Sequence, residues 1–227
     1  MQAVLDYFAG LDKWGWLEIA AMVVGFYYVL LEIRKPKLLW YVCIAASILN
    51  IFVYWHNSYV SMTVLQFYYI ATAIYGIYAF TKIHRQAVAQ QLDKDAKPIA
   101  HNKVLIRRFD WKVGGITLAV GAVVFFILAP LLKSYAEAHG TALFPSQPYW
   151  DAFITVGSMI GTFFLSKSYM CQWYIWIGLD ILTVAVFIRS GMYWMALLFS
   201  SYIVISCLGI RNWRKNGVYV DKEKGRR

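Results

Sequence analysis

Seven separate runs of about 20 apolar residues constrain this chain more than any other feature, since that length of helix crosses the hydrocarbon core of a bilayer. The runs cover 16–33, 38–55, 60–80, 113–132, 150–166, 173–188 and 192–210. Short polar segments punctuate them at 34–37, 56–59, 167–170 and 189–191, and only the connections 81–112 and 133–149 are long. A closed β-barrel would also satisfy every backbone group in lipid, but its strands alternate with period two and these runs do not. Composition agrees: 60% of the residues are hydrophobic and 15% charged, where soluble domains average about a quarter charged. Three cysteines exclude a disulfide scaffold and a cysteine-rich metal module. The sequence therefore predicts an all-α polytopic membrane protein with seven transmembrane helices.

Lysine and arginine set the orientation. Nineteen lie on one side, in 34–37, 82–112, at 167 and in 211–227, against three on the other: Lys13, Lys133 and Arg189. Positive loops stay in the cytoplasm, so the N-terminus is expected outside and the C-terminus inside. The net charge of +10 is then a topology signal strengthened by anionic inner-leaflet lipid, and the expected partner is the bilayer rather than a nucleic acid. No basic n-region or small-residue cleavage site precedes the first run, so a cleaved signal peptide is not expected. Val4, Leu5, Phe8 and Leu11 have helical spacing, which suits either a short interfacial helix or a frayed end.

The chain also carries an internal repeat. Shifted by 133 residues without a gap, 16–82 superposes on 149–215 with 14 identities in 67 positions. Apolar bias explains some of these. It does not explain Trp40 with Trp173, Gly76 with Gly209, Lys82 with Lys215, or the like-charged pairs Glu18 with Asp151 and Arg34 with Lys167. Each copy holds three helices, and an odd unit emerges on the side opposite its start. One extra helix between the copies restores the starting side, so the two triplets run parallel in a 3+1+3 arrangement. Parallel repeats with a midplane site at their interface characterise one group of secondary transporters. The expected organisation is an N-terminal external or interfacial segment 1–15, a first bundle 16–82, a basic cytoplasmic loop 83–112 and a linker helix 113–132. An external loop 133–148, a second bundle 149–215 and a basic tail 216–227 complete it.

Ionisable residues inside a span each require a reason. Glu18, Glu32 and Asp151 sit near span ends, where snorkelling or capping accounts for them. Asp180 sits near the middle of the sixth span, with no Lys or Arg in its own run before Arg189. Trp173, Trp176 and Asp180 are i, i+3 and i+7, hence on one helical face. An aromatic wall beside an acid suits a flat or quaternary cation, with ring quadrupole on one side and fixed charge on the other. Packing or an interfacial belt is the plainer explanation of the two tryptophans. Asn50, Gln66 and Tyr69 are further candidates, competing with interhelical hydrogen bonding. Thr155, Ser158 and Thr162 share a face of the fifth span with Gly157 and Gly161 intermingled, a pattern of close packing first and lining second. Ser200, Ser201 and Tyr202 are possible lining groups on the seventh.

The pattern Tyr59 … Leu65-Gln66-x-Tyr68-Tyr69 … Tyr75-Gly76, then Trp173-x-x-Trp176-x-x-x-Asp180, then Gly209-x-x-x-Trp213 resembles the PnuC family of bacterial vitamin transporters over about 16–215. The resemblance implies a seven-helix fold like that of the SWEET sugar transporters, usually as a homotrimer, in the bacterial inner membrane. It implies uptake of nicotinamide riboside by facilitated diffusion, with a cytoplasmic kinase trapping the product; a sister branch carries thiamine instead. Gln66, Trp173, Trp176 and Asp180 carry over as ligand contacts. Position 180 is commonly Asn in nicotinamide riboside carriers, and 148–153 is closer to the thiamine-associated members, so both vitamins stay open. Both hold a permanent positive charge on an aromatic ring, and an inside-negative potential draws such a cation inward by about 2.3 kcal/mol per 100 mV.

Other classes fit less well. A retinal protein needs a lysine in its last span, and 192–210 has none. An enzyme is not expected: His56, His84, His101 and His139 are scattered through loops, and no HExxH, GxSxG or P-loop occurs. Cys43, Cys171 and Cys207 lack ligand spacing, so no metal or other cofactor is expected. A scaffold subunit would gain nothing from a mid-span acid.

Overall fold

In the computed structural model, described for residues 12–56, 60–92, 103–140, 142, 144–189 and 193–220, the chain is mostly helical. Seven helices follow one another: α1 (Lys13–Arg34), α2 (Leu38–His56), α3 (Val60–Leu92), α4 (Trp111–His139), α5 (Gln147–Ser166), α6 (Gln172–Arg189) and α7 (Tyr193–Asn216). The reading of 1–11 as an interfacial helix, and most of the tail after 216, lie outside the described residues. Among the described residues, six helices are long and apolar enough to cross a membrane. The exception is α5, which packs against α3, α4 and α6. Those neighbours shield it from lipid, so it can carry Gln147, Asp151, Thr155, Ser158 and Thr162 along its length.

Local chemistry fixes the helix ends. Asp12 caps α1 by accepting from the Gly15 N–H at 2.8 Å, and Asp110 caps α4 through the Lys112 N–H at 3.0 Å. Gly140 ends α4 in the left-handed conformation (φ 62°), where a glycine meets no Cβ penalty. Two helices overrun their apolar cores. α3 continues twelve residues past Phe80, and α4 seven past Leu132. Hydropathy drops where the bilayer ends, but helix propensity does not, and Ile83 and Ala87 still find apolar partners in Leu105 and Val220.

Those partners belong to the departure from an all-α fold. β1 (Val104–Ile106) and β2 (Gly217–Tyr219) pair in parallel, Leu105 opposite Val218. Three apolar residues inside a basic loop are too short a run to reveal a strand from sequence. The segment continues at Arg107, whose N–H donates to the Ser168 carbonyl at 3.0 Å and whose guanidinium donates to Gln86 Oε1 at 2.8 Å. The described residues 104–107 are therefore tied to the bundle at several points.

Packing partners run α1–α2–α3–α5–α6–α7 and back to α1, with α4 outside against α5. The main core lies at the basic end of this ring, around Leu39, Trp40, Ala73, Leu165, Trp173 and Trp213. Two contacts there repeat with the 133-residue offset. A Cβ on Gly76 would stand 2.4 Å from the Trp40 ring, and one on Gly209 would stand 2.4 Å from the Trp173 ring. Lys35 (φ 46°) and Ser168 (φ 63°), again 133 apart, are the two non-glycine residues with positive φ among the described residues. They also touch: Lys35 Nζ donates to Ser168 Oγ at 2.6 Å and to the Leu165 carbonyl.

Candidate functional site

α6 places Asp180 nine residues into an 18-residue helix. Its side chain is on the face carrying Trp173 and Trp176, and only 5% of the residue is exposed. Among the described residues Asp180 makes no hydrogen bond and no ion pair; the nearby groups are Glu32 on α1 and Tyr202 on α7. A buried carboxylate with no partner is costly. Trp176 adds a second unmet requirement, since its indole Nε1 is buried without a hydrogen-bond acceptor. Its ring lies along α5, where Gly161 has no Cβ to fend it off. Gly157 likewise admits Leu179, so the glycines of the fifth span serve close packing.

Trp173 has a different place. It is 1% exposed, rests on Gly209 and meets Trp213 edge-on at 5.6 Å and 90°. Trp213 Nε1 in turn donates to the Ile33 carbonyl at 3.1 Å. These contacts put Trp173 in the core beneath Trp176. On α3, Gln66 is buried and its amide reaches only the Met62 carbonyl of its own helix, at 3.4 Å. Tyr69 reaches across to α5 beside Ser158, and the Tyr68 hydroxyl donates to the Met159 carbonyl at 2.8 Å. Asn50 is half-buried on α2, with no hydrogen bond among the described residues. Ser158 and Thr162 return their hydroxyls to the Ile154 and Ser158 carbonyls, and Ser200 returns its own to Ala196.

One residue set aside on sequence belongs here. Glu32 was expected to snorkel or cap, but it is 4% exposed and turned inward, beside the Tyr28 hydroxyl. The reason is local: Lys35 supplies the turn that follows α1 and Asn212 and Trp213 take the Ile33 carbonyl, so the helix end is closed without Glu32. Tyr28 and Glu32 at i and i+4, the spacing of a facing pair, were the signal available in the sequence. Tyr28 also lies beside Cys43, and Tyr54 lies between Tyr69 and Tyr202. The inward polar groups therefore come from α1, α2, α3, α5, α6 and α7. Gln172 was also missed; it is fully buried with both amide atoms unpaired. No cluster of three or more metal-ligating side chains occurs among the described residues.

Chemically, the ring presents two buried acids, an indole with a free N–H and several phenols, with no ammonium or guanidinium paired to Asp180. Lys35, the nearest cation to Glu32, spends its donors on Leu165 and Ser168. Such a lining accepts a cation or a hydrogen-bond donor and repels an anion.

Comparison with known proteins finds relatives among bacterial vitamin transporters. PnuC of Escherichia coli K12, a nicotinamide riboside transporter, is 22% identical over 211 residues, covering 87% of this chain and 84% of the relative. The riboflavin/roseoflavin transporter RibM of Streptomyces davaonensis is 21% identical over 198 residues, with the same coverage. A crystal structure of the vitamin B3 transporter PnuC superposes with a TM-score of 0.61 at 18% identity, covering 94% of this chain and 86% of that one. With its several apolar helices this is a multi-pass protein of the bacterial inner membrane. The model of the nicotinamide mononucleotide transporters matches residues 15–215, which takes in every helix of the ring, and the chain belongs to that family of membrane transporters.

Proposed function

We propose that the protein takes up nicotinamide riboside by facilitated diffusion, with thiamine as the second reading. The observation that carries this is Asp180, a buried acid with no protein partner, set one helical turn from the unsatisfied indole of Trp176. A permanently cationic aromatic ring pairs with the acid by charge and meets the face of the Trp176 ring by cation–π contact. A neutral flavin ring would leave the acid unpaired, which argues against the substrate named for RibM. A phosphorylated nucleotide would bring its anion among two carboxylates, which favours the nucleoside over the mononucleotide. Asp180, Trp176, Gln66, Asn50 and Tyr69 form the proposed contact set, with Trp173 holding Trp176 in place from behind.

The transport cycle in this reading is a rocking of two parallel triplets, α1–α3 and α5–α7, linked by α4 in a 3+1+3 arrangement. It is supported by the matched Trp–Gly contacts and by the meeting of Lys35 with Ser168, since equivalent residues touch each other only near a twofold axis. The lysine and arginine count supports an external N-terminus and a cytoplasmic C-terminus. We read the unit as a homotrimer whose product is trapped by a cytoplasmic kinase, which leaves no need for an energy-coupling site.

The test is a side-by-side binding titration of purified protein with nicotinamide riboside, thiamine and riboflavin. One of the two cations binds and riboflavin does not. Binding of riboflavin in preference to both cations contradicts the reading.

A further inference from the structure

We infer that Glu32 is a second, specificity-determining carboxylate, which takes the hydrogen-bond donors of the group attached to the cationic ring. This rests on the vitamin reading above and deepens it.

The placement follows from the helices. The carboxyl end of α1 and that of α5 lie together, because Lys35 reaches Leu165 and Ser168. α6 starts at that same end, four residues after Ser168. Glu32 is two residues from the end of α1, and Asp180 is eight from the start of α6. At 1.5 Å of rise per residue the two acids differ in depth by about 9 Å, the span of a ring plus one appended group. α1 and α6 run in opposite directions here, and a helical Cβ leans toward its own N-terminus. The two side chains therefore lean toward each other along the bundle axis, and Glu32 lies in the field of Asp180.

Two further observations point to a ligand rather than to a structural pair. Lys35 lies in the field of Glu32 but makes its hydrogen bonds to Leu165 and Ser168, and among the described residues neither acid forms a salt bridge and Asp180 has no hydrogen-bond partner. Gly25, at i−7 from Glu32 and so on the same stripe of α1, has open space where a Cβ would stand. The stripe thus runs from an open gap at Gly25 to an inward acid beside Tyr28. Ring and charge go to Trp176 and Asp180; hydroxyl or amine donors of the second moiety go to Glu32. A ribose and an aminopyrimidine both supply such donors, so the assignment covers both candidate vitamins.

The experiment compares each whole vitamin with its cationic ring alone: nicotinamide riboside against 1-methylnicotinamide, and thiamine against its N-methylated thiazolium half. Glu32→Gln keeps the Tyr28 contact and removes the charge. It is expected to weaken the whole vitamin about tenfold while leaving the bare ring unchanged, a loss of about 1.4 kcal/mol confined to the second moiety. Gly25→Leu, which fills the gap and touches neither charge, is expected to give the same selective loss. Equal losses for whole and truncated ligand, or no loss in either variant, overturn the inference. Wild-type protein that binds neither vitamin contradicts the transport reading itself and takes this inference with it. Wild-type binding with a silent Glu32→Gln contradicts only the role given to Glu32.

Discussion

Replacing Gly209 by Ala tests the packing that holds α6 against α7. The added methyl would stand 2.4 Å from one Trp173 ring atom and 2.5 and 2.6 Å from two others. Trp173 has nowhere to retreat, being 1% exposed and seated against Trp213. Overpacking of this kind costs about 1–3 kcal/mol. Alanine returns about 1 kcal/mol of helix propensity, so the net loss is about 0–2 kcal/mol. Gly115→Ala on α4 is the control, since nothing lies within 4 Å of its Cβ position and only the propensity gain remains. The two variants should differ by the overpacking cost alone, about 1–3 kcal/mol, or about 2–12 °C in Tm at the scale for chains of this size. The assay is thermal unfolding of the detergent-solubilised protein followed by tryptophan fluorescence. Gly76→Ala, against Trp40, should move with Gly209→Ala because its contact is the same. A Gly209→Ala protein that melts at or above the Gly115→Ala control refutes the claim that the Trp–Gly contact is close-packed.

Three further outcomes follow from other parts of the structure. Gln172→Leu removes two unpaired amide atoms from a fully buried site whose repeat partner is Leu39, also fully buried, and should stabilise by about 1–3 kcal/mol; a lower Tm contradicts it. Burial pushes the Cys171 thiol in the α5–α6 turn up to about 11. The reactive thiolate is then scarce below that pH, so maleimide labelling of a variant keeping only Cys171 should be slow at pH 7 and accelerate on raising pH; fast labelling at pH 7 contradicts this. Removal of 93–98 should leave uptake largely intact, whereas Ile106→Asp, which puts a charge under β2 at a residue 2% exposed, should abolish stable expression; the reverse ranking refutes the anchoring role of β1.

The sequence made the architecture legible because membrane physics writes itself in long runs: apolar length gives the spans, and the Trp40/Trp173 and Gly76/Gly209 matches mark contacts the structure contains. Asp180 was legible for a related reason, since a charge far from any span end has few structural excuses. Glu32 was not. Proximity to Arg34 and Lys35 made it look solvated, and only tertiary packing turns it inward and commits Lys35 to Leu165 and Ser168. Trp173 and Trp176 share a helix face, yet the sequence could not separate them. Gly209 and Trp213, distant in sequence, enclose the first completely, while the second lies along Gly161 and stays partly exposed. The β1–β2 pair stayed hidden because each strand is three residues long and its partner lies more than a hundred residues away.

The measurement that bears most directly on the account is the affinity of Asp180→Asn for nicotinamide riboside and thiamine, read by titration of purified protein. Asparagine keeps the shape of the side chain and removes only its charge. Loss of a charge-assisted contact of about 1.5–3 kcal/mol weakens binding of the preferred cation about 10- to 150-fold, with the Tm unchanged or raised because an unpaired buried charge is gone. Unaltered affinity in a folded Asp180→Asn protein would contradict the claim that this carboxylate holds the substrate.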